Sequence, residues 1–478
     1  MLKKAALLLL LLHCAAFVLA AQVAIYHTSD THGYYYPGSA VLGGFLAAQS
    51  KPYLLLDSGD FASGTFEAKE SKGLLSVELM NMLGYDAATI GNHEGDFGEA
   101  AFIKNLEAAD FDILAANMRG AAVSKIKPYK IYNVGGKNIA VIGLARDPLP
   151  GSADIKTGRD ITALKAALAE VKQQNPDAVV LLAHTSAADD LEAKSRALTK
   201  SIACMKGIDL VLGGHVHKII QNKKINNTVF VESGEELKGL SKIILDFDDK
   251  TGRLKSIKST YIKLDAAKIK PDEKIAAYAN QFYRADLDEI LAEAKETIYK
   301  YNPGGGGDID SPLGNLITDI IRQTTGADIA LHNTEGIRGD MARGFITQRM
   351  AHDVLPFQNK IVLVSVSGGF IMRLAQGALN GRRSAYQYSG LEFDYTLKDG
   401  KPYITRMAVN GAPVDESKKY ILAVNDFNAS GRAEGYPFKN IASKKLYGEE
   451  TLPAMFEAYL KSQTGGIYAP KTGRIKIN

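Results

Sequence analysis

Between residues 22 and 264, short apolar runs alternate with stretches of helical spacing, and this alternation admits few folds. Residues 23–26, 53–56, 87–90, 113–115, 139–142, 178–182 and 210–212 read as buried strands. Residues 73–83, 100–109 and 161–173 between them place apolar side chains at helical intervals. Strands that alternate with helices predict an α/β domain, because each helix covers a sheet face that would otherwise meet water. Two further strand-like stretches, 242–247 and 254–262, flank Asp249-Lys250-Thr251-Gly252, which reads as a hairpin turn.

The chain has 478 residues, more than one core usually organises, so two or three domains are expected. Residues 272–299 lack glycine and proline and are rich in alanine, leucine, glutamate and lysine, which predicts one long helix joining two domains. The stretch Asn302-Pro303-Gly304-Gly305-Gly306-Gly307-Asp308 then breaks it and permits relative motion. A second α/β pattern follows, with helices at 313–324 and 368–377 and strands at 361–366, 391–396 and 420–424. The expected division is therefore 22–268, a helical linker 269–303, and 304–478. A composition of 46% hydrophobic and 23% charged residues excludes a wholly disordered chain. The formal charge of +4 is too small to imply attraction to nucleic acid.

Lys3 and Lys4 precede an apolar run from Ala5 to Leu12 that resumes, after His13 and Cys14, as far as Ala21. This is the pattern of a signal peptide over residues 1–21, cleaved after Ala20 or Ala21, and it predicts a periplasmic or secreted protein. An uncleaved anchor and lipidation at Cys14 are the rival readings; the run is short for a span, and His13 is not a small residue. Cleavage removes both lysines and Cys14, which lowers the formal charge from +4 to +2 and leaves Cys204 without a disulfide partner. No other segment has the apolar length of a membrane span.

The residues just beyond the predicted strands are unusually rich in metal-ligand types. They are Asp30-Thr31-His32, Asp57-Ser58-Gly59-Asp60, Gly91-Asn92-His93-Glu94, His184, and Gly213-Gly214-His215-Val216-His217. In α/β folds the loops after strand carboxyl ends converge on one crevice, which would gather these donors. Asp-x-His and His-x-His pairs would face alike on an extended backbone, and glycines 59, 91, 213 and 214 would let the chain turn tightly. Carboxylate oxygen with imidazole nitrogen suits zinc, manganese or iron. One histidine after a strand is more often structural than a ligand; the ordered set is what carries the expectation. His27, His332 and His352 lack such company.

The order D-x-H, G-D, G-N-H-E, H and G-H-x-H resembles the calcineurin-like metallophosphoesterase superfamily. The chain as a whole resembles the 5′-nucleotidase family within it, through Asn333-Thr334-Glu335-Gly336-Ile337-Arg338, Pro356-Phe357-Gln358-Asn359 and Asn425-Asp426-Phe427. The resemblance implies a four-layer α/β/β/α sandwich joined by the long helix to a smaller C-terminal α/β substrate-binding domain. It implies that Asp30, His32, Asp60 and His217 hold one divalent metal and that Asp60, Asn92, His184 and His215 hold another, with Asp60 bridging. A hydroxide between the two metals would then be the nucleophile. His93 matches the family's catalytic histidine and Asp96 its partner, which would fix the imidazole tautomer and favour the cation; Asp96 as a mere loop cap is the plain alternative.

For the substrate, the resemblance implies that Arg338, with Asn333 beside it, contacts phosphate, and that Phe357 and Tyr436 sandwich a nucleobase. Phe357 could equally be core. Three departures stand out. No arginine precedes Leu313-Gly314-Asn315 within residues 302–312; Glu335 replaces a usual glycine; and the Gly431-to-Tyr436 turn is one residue longer, with Arg432 as a possible substitute clamp. The expected activity is exported hydrolysis of nucleoside 5′-monophosphates or related nucleotides. The alternatives are cyclic-nucleotide, nucleotide-sugar or sulfur-ester hydrolysis at the same metals, or a non-catalytic nucleotide-binding or surface-interaction protein.

Overall fold

The computed structural model describes residues 22–149, 152–158, 161–189, 193–301, 309–380, 386–430, 438, 441 and 443–478. The proposed signal peptide, the 302–308 glycine stretch, Arg432 and Tyr436 lie outside the described residues. The chain divides into two compact units, one of residues 1–63, 71–188 and 194–281, the other of 64–70, 189–193 and 282–478.

The first unit contains β1 (Gln22–Thr28), α1 (Tyr35–Ala47), β2 (Tyr53–Asp57), α2 (Leu74–Leu83), β3 (Ala87–Ala88), α3 (Glu99–Ala108), β4 (Asp112–Ile113), β5 (Tyr129–Val134) and β6 (Lys137–Leu144). It continues with α4 (Thr162–Gln173), β7 (Ala178–Ala183), α5 (Ala193–Ala203), β8 (Leu210–Gly213), β9 (Ile219–Ile225), β10 (Thr228–Ser233), β11 (Gly239–Phe247), β12 (Leu254–Lys263) and α6 (Glu273–Ala279). These make two six-stranded sheets, β12-β11-β1-β2-β3-β4 and β9-β10-β8-β7-β6-β5.

Alternation along each strand decides the layering. Val23, Ile25, Leu54 and Leu56 of one sheet meet Ile139, Val141, Val180, Leu182, Leu210 and Leu212 of the other in a buried core. The intervening Ala140, Ile142, Val179, Leu181 and Val211 face Leu164, Leu168 and Val171 of α4. On the far side Tyr26 meets Phe45 of α1 edge-on, ring centroids 5.7 Å apart. Strands buried on both faces read as continuous apolar runs, which is why their positions are legible. The unit is the expected α/β/β/α sandwich.

The second unit holds β13 (Ile290–Ala294), α7 (Pro312–Thr325), β14 (Ile329–Asn333), β15 (Gly344–Thr347), α8 (Gln348–Val354), β16 (Lys360–Ser367), α9 (Gly368–Leu379), β17 (Tyr386–Ser389), β18 (Leu391–Lys398) and β19 (Lys401–Val409). After these come β20 (Ala412–Pro413), β21 (Lys419–Asn425), α10 (Asp426–Ala429), β22 (Lys444–Thr451), α11 (Leu452–Ser462) and β23 (Ile475–Ile477). A mixed five-stranded sheet, β17-β14-β21-β16-β22, is its centre. One face packs Ala330, Ile361 and Ala423 against Ile317 and Ile321 of α7 and Phe456 of α11. The other packs Leu331, Val364 and Val424 against Ile371 and Leu374 of α9. Local signals set α7: Ser311 accepts a hydrogen bond from the Gly314 N–H at 3.0 Å, Pro312 opens the helix, and Gly326 closes it in the left-handed region.

The long helix expected over 272–299 does not form. Asp272 caps α6, which stops at Ala279 and passes through two short 3₁₀ turns. Residues Ile290–Ala294 are instead extended and pair antiparallel with β15, burying Leu291, Ala292 and Ala294. Helix propensity spans only tenths of a kcal/mol per residue, and pairing plus burial outweighs it. Among the described residues no helix is long and apolar enough to cross a membrane.

Candidate metal centre

Strand register brings the acidic loops together. β1 and β2 run parallel with Thr28 opposite Asp57, so both strands end level and their loops continue side by side. Asp30 N–H donates to Gly59 O at 3.0 Å and His32 N–H to Asp60 O at 2.9 Å. In the other sheet β7 lies between β6 and β8 in parallel register. There His184 N–H donates to Leu144 O at 3.2 Å and Gly214 N–H to Thr185 O at 2.9 Å. Ser58 Oγ, donating to Leu212 O at 2.8 Å, ties the loop after β2 to strand β8 of the other sheet.

Two clusters result. Asp30, His32 and His217 form one, and Asp60, His184 and His215 the other; within each, one candidate ligand atom per residue lies within 4.8 Å of the rest. His32 Nε2 and His217 Nε2 are 3.1 Å apart, and His184 Nε2 is 2.9 Å from Asp60 Oδ2 and 3.9 Å from Asp30 Oδ1. Asp30, His32, Asp60 and His184 are all buried.

The backbone at these ligands is not the extended one expected from the Asp-x-His and His-x-His spacing. Asp30, His32, Asp60, His215 and His217 all have positive φ, between 49° and 81°. Non-glycine residues there cost roughly 1 kcal/mol or more each, so five together need a surrounding structure that imposes them. Glu94 supplies part of it. Its buried carboxylate accepts the N–H groups of Asp60, Phe61, Ala62 and Gly91 at 2.6–3.2 Å. Close approach supplies another part: a Cβ on Gly91 would stand 2.2 Å from Asp60 Oδ1.

The contacts behind the imidazoles fix their tautomers. His184 Nδ1 faces Ser58 O at 2.7 Å, His32 Nδ1 faces Ser63 O at 3.1 Å, and His217 Nδ1 faces Glu235 Oε2 at 2.7 Å. Each acceptor receives a hydrogen bond from Nδ1–H and so turns Nε2 toward the cluster, where a bound cation would replace any proton on it. Burial opposes charge on Asp60, but His184 and His93 outweigh it and hold its carboxyl well below the usual range. His184 is pushed up to about 9: burial lowers it, and Asp60 and Asp30 more than compensate. Asp30 Oδ2 and Asn92 Oδ1 are buried without a hydrogen-bond partner. Orphaned oxygens beside oriented imidazoles are a donor set that divalent cations satisfy, so these residues fit a metal pair.

His93 Nδ1 lies 2.8 Å from Asp96 Oδ2, which also accepts from Ser63 Oγ at 2.7 Å. The His93 N–H donates to Asp60 Oδ1 at 2.8 Å, so the dyad is anchored to the acidic cluster. Sequence reasoning gives no role to Glu94, Glu235 or Ser63. Glu235 follows β10, a strand not expected from the sequence; reading that strand would have exposed it by the rule that finds the ligands. His27 is structural: its nitrogens meet Ser58 Oγ and Ser233 Oγ at 2.8 and 2.7 Å, and burial drops its pKa to about 3.

In the second unit Arg338 lies over the Phe357 ring, 5.8 Å to the centroid, with Nη2 buried and unpaired. Asn333 is engaged elsewhere. Its Oδ1 accepts from Asn425 Nδ2 and Asn428 Nδ2 at 2.9 and 3.1 Å, within a buried amide network that includes His332.

The calcineurin-like phosphoesterase family matches residues 23–219, and the 5′-nucleotidase C-terminal domain family matches residues 301–440. The chain is 28% identical over 459 residues to the endonuclease YhcR of Bacillus subtilis, covering 90% of this chain and 37% of that protein. It therefore spans little more than a third of that relative's length. A probable 5′-nucleotidase of Treponema pallidum is 26% identical over 527 residues, with 87% of each chain covered. The crystal structure of a 5′-nucleotidase precursor from Thermus thermophilus superposes with a TM-score of 0.83 at 23% identity, covering 95% of this chain and 99% of the other. A match to the calcineurin-like phosphoesterase family and a match to the 5′-nucleotidase C-terminal domain family thus stand in one chain, the domain pairing of the 5′-nucleotidases it is similar to.

Proposed function

We propose that the protein hydrolyses nucleoside 5′-monophosphates or closely related nucleotides to nucleoside and phosphate. The observation that carries this reading is the meeting of two largely buried carboxylate–imidazole clusters from four loops, next to a His93–Asp96 pair on a fifth. Asp30, His32, Asp60 and His217 would hold one divalent cation, and Asp60, Asn92, His184 and His215 the other, Asp60 being common to both sets; carboxylate and imidazole ligands suit zinc, manganese or iron. A cation pair in such a site acidifies water to make the nucleophile and neutralises phosphoryl oxygens. His93, oriented through Nδ1 by Asp96, would present Nε2 to the transferring phosphoryl group or the leaving oxygen, and proton transfer of this kind contributes roughly 10²–10⁴-fold.

Substrate recognition falls to the second unit in this reading. The unpaired edge of Arg338 is suited to an anion, and Phe357 offers an aromatic face. Tyr436 is proposed as the second ring on its sequence context alone. Residues 1–21 support export, which sequencing the N-terminus of the native protein would check. The test of the activity is phosphate release from a nucleotide panel by metal-loaded protein. Turnover that survives a His93→Ala, Asp60→Ala double substitution would refute the assigned centre. The relative named an endonuclease, aligned over 90% of this chain, supports a second reading in which phosphodiesters are cleaved at the same metals. Product analysis separates the two, since turnover confined to monoesters eliminates the second.

A further inference from the structure

We propose that Glu235 is a positioning residue for His217 and that it makes the two metal positions unequal. The inference rests on the metal reading above. Three imidazoles in the centre have a defined acceptor behind Nδ1, and the acceptors differ in kind. Backbone carbonyls stand behind His32 and His184, whereas a carboxylate stands behind His217 at 2.7 Å. A carboxylate in that place fixes ring orientation as a carbonyl does, and in addition raises the basicity of the ligating nitrogen.

The carboxylate is itself held. Lys238 Nζ reaches the other oxygen of Glu235 at 3.1 Å and Glu236 Oε2 at 2.7 Å. The loop that carries them is docked on the ligand loop of the opposite sheet, with Glu236 N–H donating to Asp30 O at 2.9 Å and Ser29 Oγ to Gly234 O at 3.3 Å. Glu236 and Leu237 both have positive φ, 55° and 51°, so the loop has the same imposed backbone as the ligands it supports. His217 is also less enclosed than His184, with 15% against 0% of its side chain exposed. A ring that packing holds less firmly depends more on its hydrogen bond. The loss of Glu235 should therefore weaken the position built from Asp30, His32 and His217 and leave the other position intact.

The experiment is calorimetric titration of Mn²⁺, and separately of Zn²⁺, into metal-stripped wild type, Glu235→Ala and Glu235→Gln. Wild type is expected to take up two equivalents. Glu235→Ala should bind one of them with unchanged affinity and the other roughly 10–100-fold more weakly. Glu235→Gln, whose amide oxygen still accepts the Nδ1 proton, should show a smaller loss at the same position. If Glu235→Ala does not fold, Glu235→Gln carries the test by the same criterion. Two unchanged dissociation constants overturn the inference, as does an equal loss at both positions. Two metals bound with no turnover of any nucleotide would sink the proposed function and leave this inference standing; no metal bound by wild type would sink both.

Discussion

In the first unit, three imidazoles and two carboxylates are aimed at common points by contacts behind them, and the backbone bearing them is driven into the left-handed region. In the second unit, Arg338 rests on the Phe357 ring with Nη2 unpaired, and among the described residues its Nη1 donates only to Glu335 O at a long 3.4 Å. Under the proposed function the difference matches two tasks. Metal ligands must converge to within tenths of an ångström, so rigidity at the cost of strain is useful. Recognition of a nucleotide tolerates small errors because stacking and charge act over a broader range. Under the proposed function, substitutions of the candidate ligands should therefore change metal content and turnover together, and substitution of Arg338 should lower turnover without changing metal content.

The largest effect is expected from Asp60→Asn. Asp60 stands 2.9 Å from His184 and takes the His93 N–H, so the change disrupts one cluster and the anchor of the dyad together. Turnover should drop to background and metal content should fall, as read by elemental analysis. Full metal loading in this variant would break the contrast at its strongest point. His93→Ala comes next, with a loss of about 10²–10⁴-fold in kcat and unchanged metal content, because the proposed function puts His93 at the phosphoryl group and His93 belongs to neither candidate metal cluster.

Arg338→Ala should be milder. Losing a charged hydrogen-bond partner costs about 1.5–3 kcal/mol, or on the order of 10–100-fold in kcat/KM for nucleotides. Metal content should not move, and hydrolysis of a small aryl phosphate should fall about as much as that of a nucleotide, because the anion is common to both. A loss confined to nucleotides would mean that Arg338 does not serve the phosphate.

Legibility in the sequence follows the same division. The ligands are readable because buried parallel strands are uninterrupted apolar runs, and each ligand directly follows one. What lies behind the ligands is not readable. Glu235 is 18 residues from His217, and although it follows the strand-like run Thr228–Ser233, nothing local marks which ligand its carboxylate stands behind. Helix α1 is hidden by Pro37, Gly38, Gly43 and Gly44, the residues that usually mark turns. Gly44 is required for a different reason: a Cβ there would lie 1.9 Å from Lys270 O. The expected helix at 272–299 fails for the converse reason, since good helix formers can be recruited into a strand such as β13 when a partner offers pairing. In the second unit the Asn-to-Arg motif is visible, but its amide network joins residues about 90 positions apart and has no local signature.

The smallest effect concerns stability and contrasts two buried histidines. Carboxylates raise His184 to about 9 in the first unit, whereas burial lowers His332 to about 4 in the second. For His332 the unfolded chain has the ordinary value of 6.5. Above pH 6.5 neither state holds the proton, and the residue adds no pH dependence. Between 6.5 and 4 the unfolded chain binds a proton that the folded one refuses, so stability falls as the pH falls, by at most about 3 kcal/mol. Protonation is refused because the ring is enclosed and Asn425 Nδ2 already donates toward its Nδ1 at 3.1 Å. His352, also lowered to about 4 by burial and then by Lys69 and Arg349, adds to the same trend. Denaturation midpoints of the metal-stripped protein at pH 7 and pH 5 should therefore differ more in wild type than in His332→Gln, which has no proton to gain. Equal differences would mean that His332 ionises freely in the folded protein, and the second unit would then contain a polar pocket where a sealed core is now assigned.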